Sequence, residues 1–293
     1  MSLVIIVAAA YAGIVAFMYL AQTWLVFPGA SLPSRPLDGP LQPERLRIET
    51  PDGDTLYGLL FRTDPASKEL LIGFGGNAQD AEMLAHDLIS DFPDLNIAVF
   101  HYRGYGPSTG RPSEQALLAD ALLIHDALVE ELRPERVYAI GISLGSAVAA
   151  YLSKERPLAG IILVTPFDSV EAIAKETYFW LPVGLLLRHR FRAIDYMALN
   201  PTPVAVIAAE QDRLVKPKRT AALVEQIQNL VFHRVIPGAE HNTVAELPIY
   251  AETLREALDA LRRAVAEPAA IRQPATADVG MPGPARIDPK EAP

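Results

Sequence analysis

Apolar and polar positions divide the chain into short apolar runs and longer stretches in which apolar residues return every three or four positions. Runs of strand length fall at 70–74, 97–101, 137–140, 160–165, 204–209 and 232–236. Helical periodicity occupies the stretches near 79–90, 113–132, 144–154, 216–227 and 244–266. Strands alternating with helices predict an α/β fold, a mostly parallel central sheet flanked by helices on both faces. Ahead of this alternation, 46–50 and 55–61 flank Pro51-Asp52-Gly53-Asp54, a turn signal that predicts a hairpin.

Two segments break the pattern. Residues 3–20 contain no charge, and as a helix they extend about 27 Å, close to the thickness of a hydrocarbon core. The run continues through Trp24, Leu25, Val26 and Phe27, and Tyr19, Trp24 and Phe27 suit a membrane interface. The expectation is an N-terminal transmembrane helix over 1–27. A cleaved signal peptide and a buried core helix are the alternatives. Ala10-Tyr11-Ala12 resembles a cleavage site, but a basic leader is lacking and the apolar stretch exceeds the usual signal core. The side of the membrane is left open, because the first Lys or Arg is Arg35.

The second break is the long excursion between the runs at 160–165 and 204–209. Its apolar middle, 178–187, is followed by Arg188, His189, Arg190 and Arg192. One reading is a small cap over about 168–203 that supplies an apolar substrate pocket and touches the bilayer; the other is a core helix with a solvated basic end. On the first reading Phe74, Tyr178, Phe179, Trp180 and Leu181 line the pocket. Residues 28–44, rich in Pro and small residues, read as a linker, 45–266 as the α/β domain, and 267–293 as a disordered tail.

Composition removes several function classes. The 293 residues carry a net charge of −9, and no basic stripe offers phosphate contacts, so nucleic acid is not an expected partner. With no cysteine there is no disulfide, thiolate metal site or cysteine nucleophile. No His-x-x-x-His or carboxylate cluster has metal-ligand spacing, and neither a metal nor a cofactor is expected.

Candidate chemistry starts at Gly141-Ile142-Ser143-Leu144-Gly145, between a strand-like run and a small-residue helical stretch. There a G-x-S-x-G serine stands on a tight elbow with its hydroxyl exposed. A serine hydroxyl needs a base, a group orienting the base, and donors for the oxyanion. Asp212, in the loop after the run at 204–209, is the candidate acid, with Glu210 as its rival. His241, just after the last strand, is the candidate base and completes the order serine, acid, histidine. The oxyanion would be held by the Leu144 N–H and one from the loop Gly75-Gly76-Asn77-Ala78, either Asn77 or Gly76.

The stretch Tyr102-Arg103-Gly104-Tyr105-Gly106-Pro107-Ser108-Thr109-Gly110-Arg111-Pro112-Ser113-Glu114 is similar to a signature of the BEM46-like membrane-anchored α/β-hydrolases. Gly75–Ala78, Gly141–Gly145, Thr165-Pro166-Phe167-Asp168-Ser169, Asp212 and Gly238-Ala239-Glu240-His241-Asn242 extend the resemblance to about residue 262. Such proteins also resemble the serine aminopeptidase-like branch of the superfamily. The resemblance implies an α/β-hydrolase fold, with Ser143 as nucleophile, Asp212 as orienting acid and His241 as base. It departs from the family pattern at Gly75, where His is usual, and at His101, where Asp is frequent. The membrane anchor and the apolar cap favour hydrolysis of an ester or thioester of a small-molecule or lipid-like substrate with a hydrophobic acyl group. A peptidase with the same triad and a non-catalytic membrane-tethered binding module are the alternatives. Arg103 reads as a brace for its loop or as a substrate contact.

Overall fold

The computed structural model describes residues 2–31, 42–64 and 66–267. Strands β1 (Glu44–Glu49) and β2 (Thr55–Arg62) form the predicted antiparallel hairpin around the turn at Asp52–Gly53. The remaining strands are β3 (Glu69–Phe74), β4 (Asn96–Phe100), β5 (Arg136–Ile142), β6 (Gly160–Val164), β7 (Val204–Ala209) and β8 (Leu230–Ile236). All eight join one sheet in the order β1-β2-β4-β3-β5-β6-β7-β8. Strand β2 pairs antiparallel with β4, and every pairing from β4 through β8 is parallel. The parallel strands are apolar at nearly every position because helices cover both faces. Alternate residues therefore enter different layers: Leu70, Ile72 and Phe74 pack into one core cluster, Leu71 into the other.

The helices begin where the sequence supplies caps. Asp80 accepts from the N–H groups of Glu82 and Met83 and opens α2 (Ala81–Asp91). Ser113 opens α3 (Glu114–Leu132) and Ser169 opens α5 (Val170–Thr177), each accepting from the N–H three residues on. Helix α4 (Leu144–Glu155) follows β5 directly. Past β7, α8 covers Pro217–Val224, less than the expected 216–227. The expected helix over 244–266 divides: Val244–Glu246 is one 3-10 turn, and α9 (Ile249–Ala266) starts after Pro248, whose ring blocks continuation from the preceding turn.

Between β6 and β7 the excursion consists of α5 and two short helices, α6 (Val183–Leu186) and α7 (Ala193–Met197). Its apolar middle is not a core helix, since Phe179, Trp180 and Leu185 are exposed. Glu114 ties its return to the domain by accepting from Arg190 N–H (2.6 Å), Phe191 N–H (2.8 Å) and Tyr196 OH (3.2 Å). The Thr165–Ser169 motif braces its base: Asp168 accepts from Arg219 Nη1 at 2.8 Å and from the Ser169 N–H at 2.7 Å.

At the N-terminus, α1 (Leu3–Val26) is long and apolar enough to cross a membrane. Phe27, at its end, is fully buried and meets His189 and Phe191 edge-on. Pro28–Ser31 form a 3-10 turn in which Gly29 is buried, so the expected linker begins as packed structure. The rest of that linker, 32–41, and the expected disordered tail beyond Glu267 lie outside the described residues.

Candidate active site

Ser143 stands between β5 and α4 at φ 51° and ψ −112°, a conformation that L-residues avoid. Both motif glycines are there because the backbone crowds. A Cβ at Gly141 would lie 2.2 Å from the Gly145 carbonyl oxygen, and one at Gly145 would lie 2.1 Å from that of Phe74. The Ser143 N–H donates to Val164 O at 2.9 Å, tying the elbow to β6.

Three strand ends converge on this hydroxyl. Ser143 Oγ lies 2.9 Å from His241 Nε2, and His241 Nδ1 lies 2.6 Å from Asp212 Oδ2. The other Asp212 oxygen accepts from the N–H groups of Leu214 (3.0 Å) and Val215 (2.7 Å), which fixes the carboxylate in its loop. The side chains of His241 and Asp212 are buried, so the relay runs in low dielectric. Glu210 is directed elsewhere and accepts from the Gly238 N–H at 2.8 Å.

The loop expected to supply an oxyanion donor runs from Gly75 to Ala78. The Gly76 N–H already donates to Gln79 Oε1 at 3.0 Å, which leaves the Asn77 N–H as the available donor on this side. Leu144 is the first residue of α4, where a backbone N–H has no intrahelical acceptor. Three hydrogen bonds hold the loop in place. Tyr102 OH donates to Gly75 O (2.8 Å), while Tyr105 OH (2.8 Å) and the Gly29 N–H (3.1 Å) both donate to Asn77 O. Burial raises the pKa of both phenols, which keeps them protonated as donors. The Tyr102–Gly106 stretch hints at the tyrosines. Gly29 and Gln79 carry no such signal, because nothing local links either residue to the elbow.

A cavity of about 420 Å³ opens beside Ser143. The Gly75–Ala78 loop and His241 border it beside Ser143; Met83, Leu214, Val244, Ala245 and Tyr250 supply apolar wall, and Asp80, His101 and Asn242 polar wall. Burial lowers the pKa of His101, with Arg45 acting the same way against the opposing carboxylates of Asp80 and Glu82. The pocket assignment needs correcting in full. Phe74 does not line this cavity, because the alternation of β3 sends its side chain into the core with Leu70 and Ile72. Tyr178, Phe179, Trp180 and Leu181 do not line it either, because the turn they form faces α1: Tyr11 OH donates to Trp180 O at 3.0 Å.

Arg103 is a brace. Its guanidinium meets buried Asp120 at 2.5 and 3.1 Å, Asp54 at 3.0 Å, and Asp52, joining the glycine-rich loop to α3 and to the hairpin turn.

The sequence profile of the α/β hydrolase fold matches residues 70–193. Over 275 residues the chain is 34% identical to an uncharacterized protein of Mycobacterium tuberculosis, a match covering 92% of this chain and 96% of that one. It is 30% identical over 221 residues to alpha/beta hydrolase domain-containing protein 17B of Xenopus laevis, covering 73% of this chain and 74% of the relative. Among solved structures it is similar to the Pyrococcus furiosus esterase Pf2001, with a TM-score of 0.65 at 19% identity over 78% of this chain and 97% of that one. The α/β hydrolase GrgF of a Penicillium species superposes with a TM-score of 0.61 at 18% identity, covering 78% and 100% of the two chains. At such identities these two structures speak for the fold alone.

Proposed function

The chain belongs to the α/β-hydrolase family, and on that footing we propose that it is a membrane-anchored serine hydrolase cleaving an ester or thioester acyl bond. The observation that carries this reading is the unbroken relay from Ser143 Oγ through the His241 ring to Asp212, beside an open cavity. In the reaction, His241 Nε2 takes the Ser143 proton as Oγ attacks the acyl carbonyl. The N–H groups of Leu144 and Asn77 hold the resulting oxyanion; losing one such donor typically costs about 2.7–4 kcal/mol. His241 then protonates the departing alkoxide or thiolate, and water, deprotonated by the same imidazole, releases the acid and restores Ser143. Asp212 keeps the imidazole oriented and stabilises its charged form.

The choice of an acyl substrate rests on the cavity and on α1. Part of the cavity wall is apolar, and Gly29, two residues beyond Phe27, belongs to its lining, so the cavity lies close to the end of the candidate anchor. A peptidase taking a free α-amine would need an uncommitted carboxylate in the cavity. Asp80 is the carboxylate on its lining; Oδ1 caps α2, so Oδ2 is the oxygen that an ammonium would have to reach. A non-catalytic module has no use for a strained serine in register with a base and an acid.

The test is a panel of short- and long-chain p-nitrophenyl esters, acyl thioesters and aminoacyl-amides presented to the full-length chain. Ester or thioester turnover is expected, falling by about 10⁴-fold or more in Ser143→Ala. Preference for the amides would favour the peptidase, and turnover unchanged by the substitution would remove Ser143 from the mechanism.

A further inference from the structure

Helix α1 is partly free and partly covered, and the division sets where a membrane can lie. Every residue from Ser2 to Ile14 is exposed, whereas from Val15 onward one face is covered, through Met18, Gln22 and Val26. The exposed turns, Leu3 to Ile14, which the cap touches at Tyr11, extend about 18 Å, well short of the roughly 30 Å of hydrocarbon that a spanning helix must cross. The missing distance, about 12 Å, corresponds to the next eight residues or so, down to Gln22.

That stretch of helix is flanked by the cap. Trp180 lies beside Tyr11, with ring centroids 6.5 Å apart and the backbone hydrogen bond already described. Gln22 Nε2 donates to Leu186 O at 3.2 Å, and the Arg188 N–H donates to Gln22 Oε1 at 2.7 Å. The cap thus runs along α1 from Trp180 to Arg188, and it turns three large apolar side chains outward: Phe179 is 84% exposed, Leu185 88% and Trp180 45%. Arg188 marks the other end of the contact. Its guanidinium stacks 5.0 Å from the Tyr19 ring centroid and meets Tyr19 O and Thr23 Oγ1 at 3.4 Å, with no carboxylate partner among the described residues. An arginine beside an interfacial tyrosine suits the phosphate level of a bilayer.

We propose that the cap edge formed by Phe179, Trp180 and Leu185 is sunk in the acyl layer of a phospholipid leaflet beside α1, with Arg188 at the headgroups. The proposal rests on the reading of α1 as a membrane anchor. It makes the catalytic domain a body partly embedded in the lipid rather than one held off it by a tether. Burying three large apolar groups adds to membrane affinity and fixes the orientation of the domain.

The chain contains two tryptophans, so Trp24→Phe leaves Trp180 as the sole indole. The full-length variant is reconstituted into vesicles of dioleoyl-phosphatidylcholine or of its acyl-dibrominated analogue. The expected result is a blue-shifted Trp180 emission that is mostly lost in the brominated vesicles. Undiminished emission from protein that floats with the vesicles and resists carbonate extraction would overturn the embedded cap while leaving the anchor standing. Failure to float would overturn the anchor, and the proposal with it. As a second probe, Phe179→Ser/Leu185→Ser changes only exposed side chains. It should keep turnover of a water-soluble ester while red-shifting Trp180 in vesicles; an unmoved emission maximum would contradict the proposal.

Discussion

Asp212 and His241 are 29 residues apart in the chain, yet their side chains meet at 2.6 Å because adjacent parallel strands, β7 and β8, end side by side. With both Asp212 oxygens engaged, Asp212→Asn should keep the fold and lose the orientation of the ring. The expected outcome is a fall in kcat of about 10⁴-fold with an unchanged melting temperature, since an amide stabilises the wrong imidazole tautomer. Steady-state kinetics paired with thermal denaturation checks it. At this scale the sequence is most legible where a residue type is imposed by crowding or by chemistry. Gly141 and Gly145 admit no side chain, and Ser143 needs a base and an acid in a fixed chain order. It is least legible where composition leaves the direction open. Phe74 is equally apolar whether it faces the cavity or the core, and only the pleat of β3 against its neighbours decides.

The elements follow from periodicity, and all eight strands lie where the sequence pattern predicted them, with ends shifted by a residue or two. What periodicity could not supply was the partner of each apolar face. The run at 178–187 has the composition of a core helix, a pocket wall and a membrane-facing edge alike, and its contact with α1 depends on residues some 165 positions away. The turn after α1 is another case. A Cβ at Gly29 would lie 2.3 Å from Tyr105 Cε1 and 2.8 Å from Asn77 O, so Gly29→Ala must push on Asn77 directly or through the Tyr105 ring that bonds it. The expected effect is a lowered kcat with little change in KM, and slower reaction with a fluorophosphonate. Kinetics of both reactions would check it, and an unaltered kcat would mean that Asn77 is held without this contact.

For the whole molecule, α1 and the α/β-hydrolase fold form one packed unit, joined through a titratable group. His189 Nε2 lies 3.0 Å from Thr23 Oγ1 on α1, and its Nδ1 accepts from the Glu114 N–H at 3.3 Å. Burial first, and then Arg188, lower its pKa from 6.5 to about 4. A histidine depressed on folding binds its proton later in the folded chain than in the unfolded one. Its contribution to stability is therefore complete above pH 6.5 and is lost as pH falls towards about 4. Thermal melts across this window should show the intact chain weakening as pH falls, with a shallower slope in His189→Gln; parallel slopes would indicate that His189 does not couple the two parts.

The central claim is that Ser143 is a nucleophile driven by His241 and Asp212. It is tested most directly by treating the full-length chain with a fluorophosphonate and locating the adduct by peptide mass spectrometry. The account predicts one adduct, on the peptide that carries Ser143, with none in Ser143→Ala and very little in His241→Ala. An adduct on a different serine, or ester turnover persisting while Ser143 stays unmodified, would contradict it.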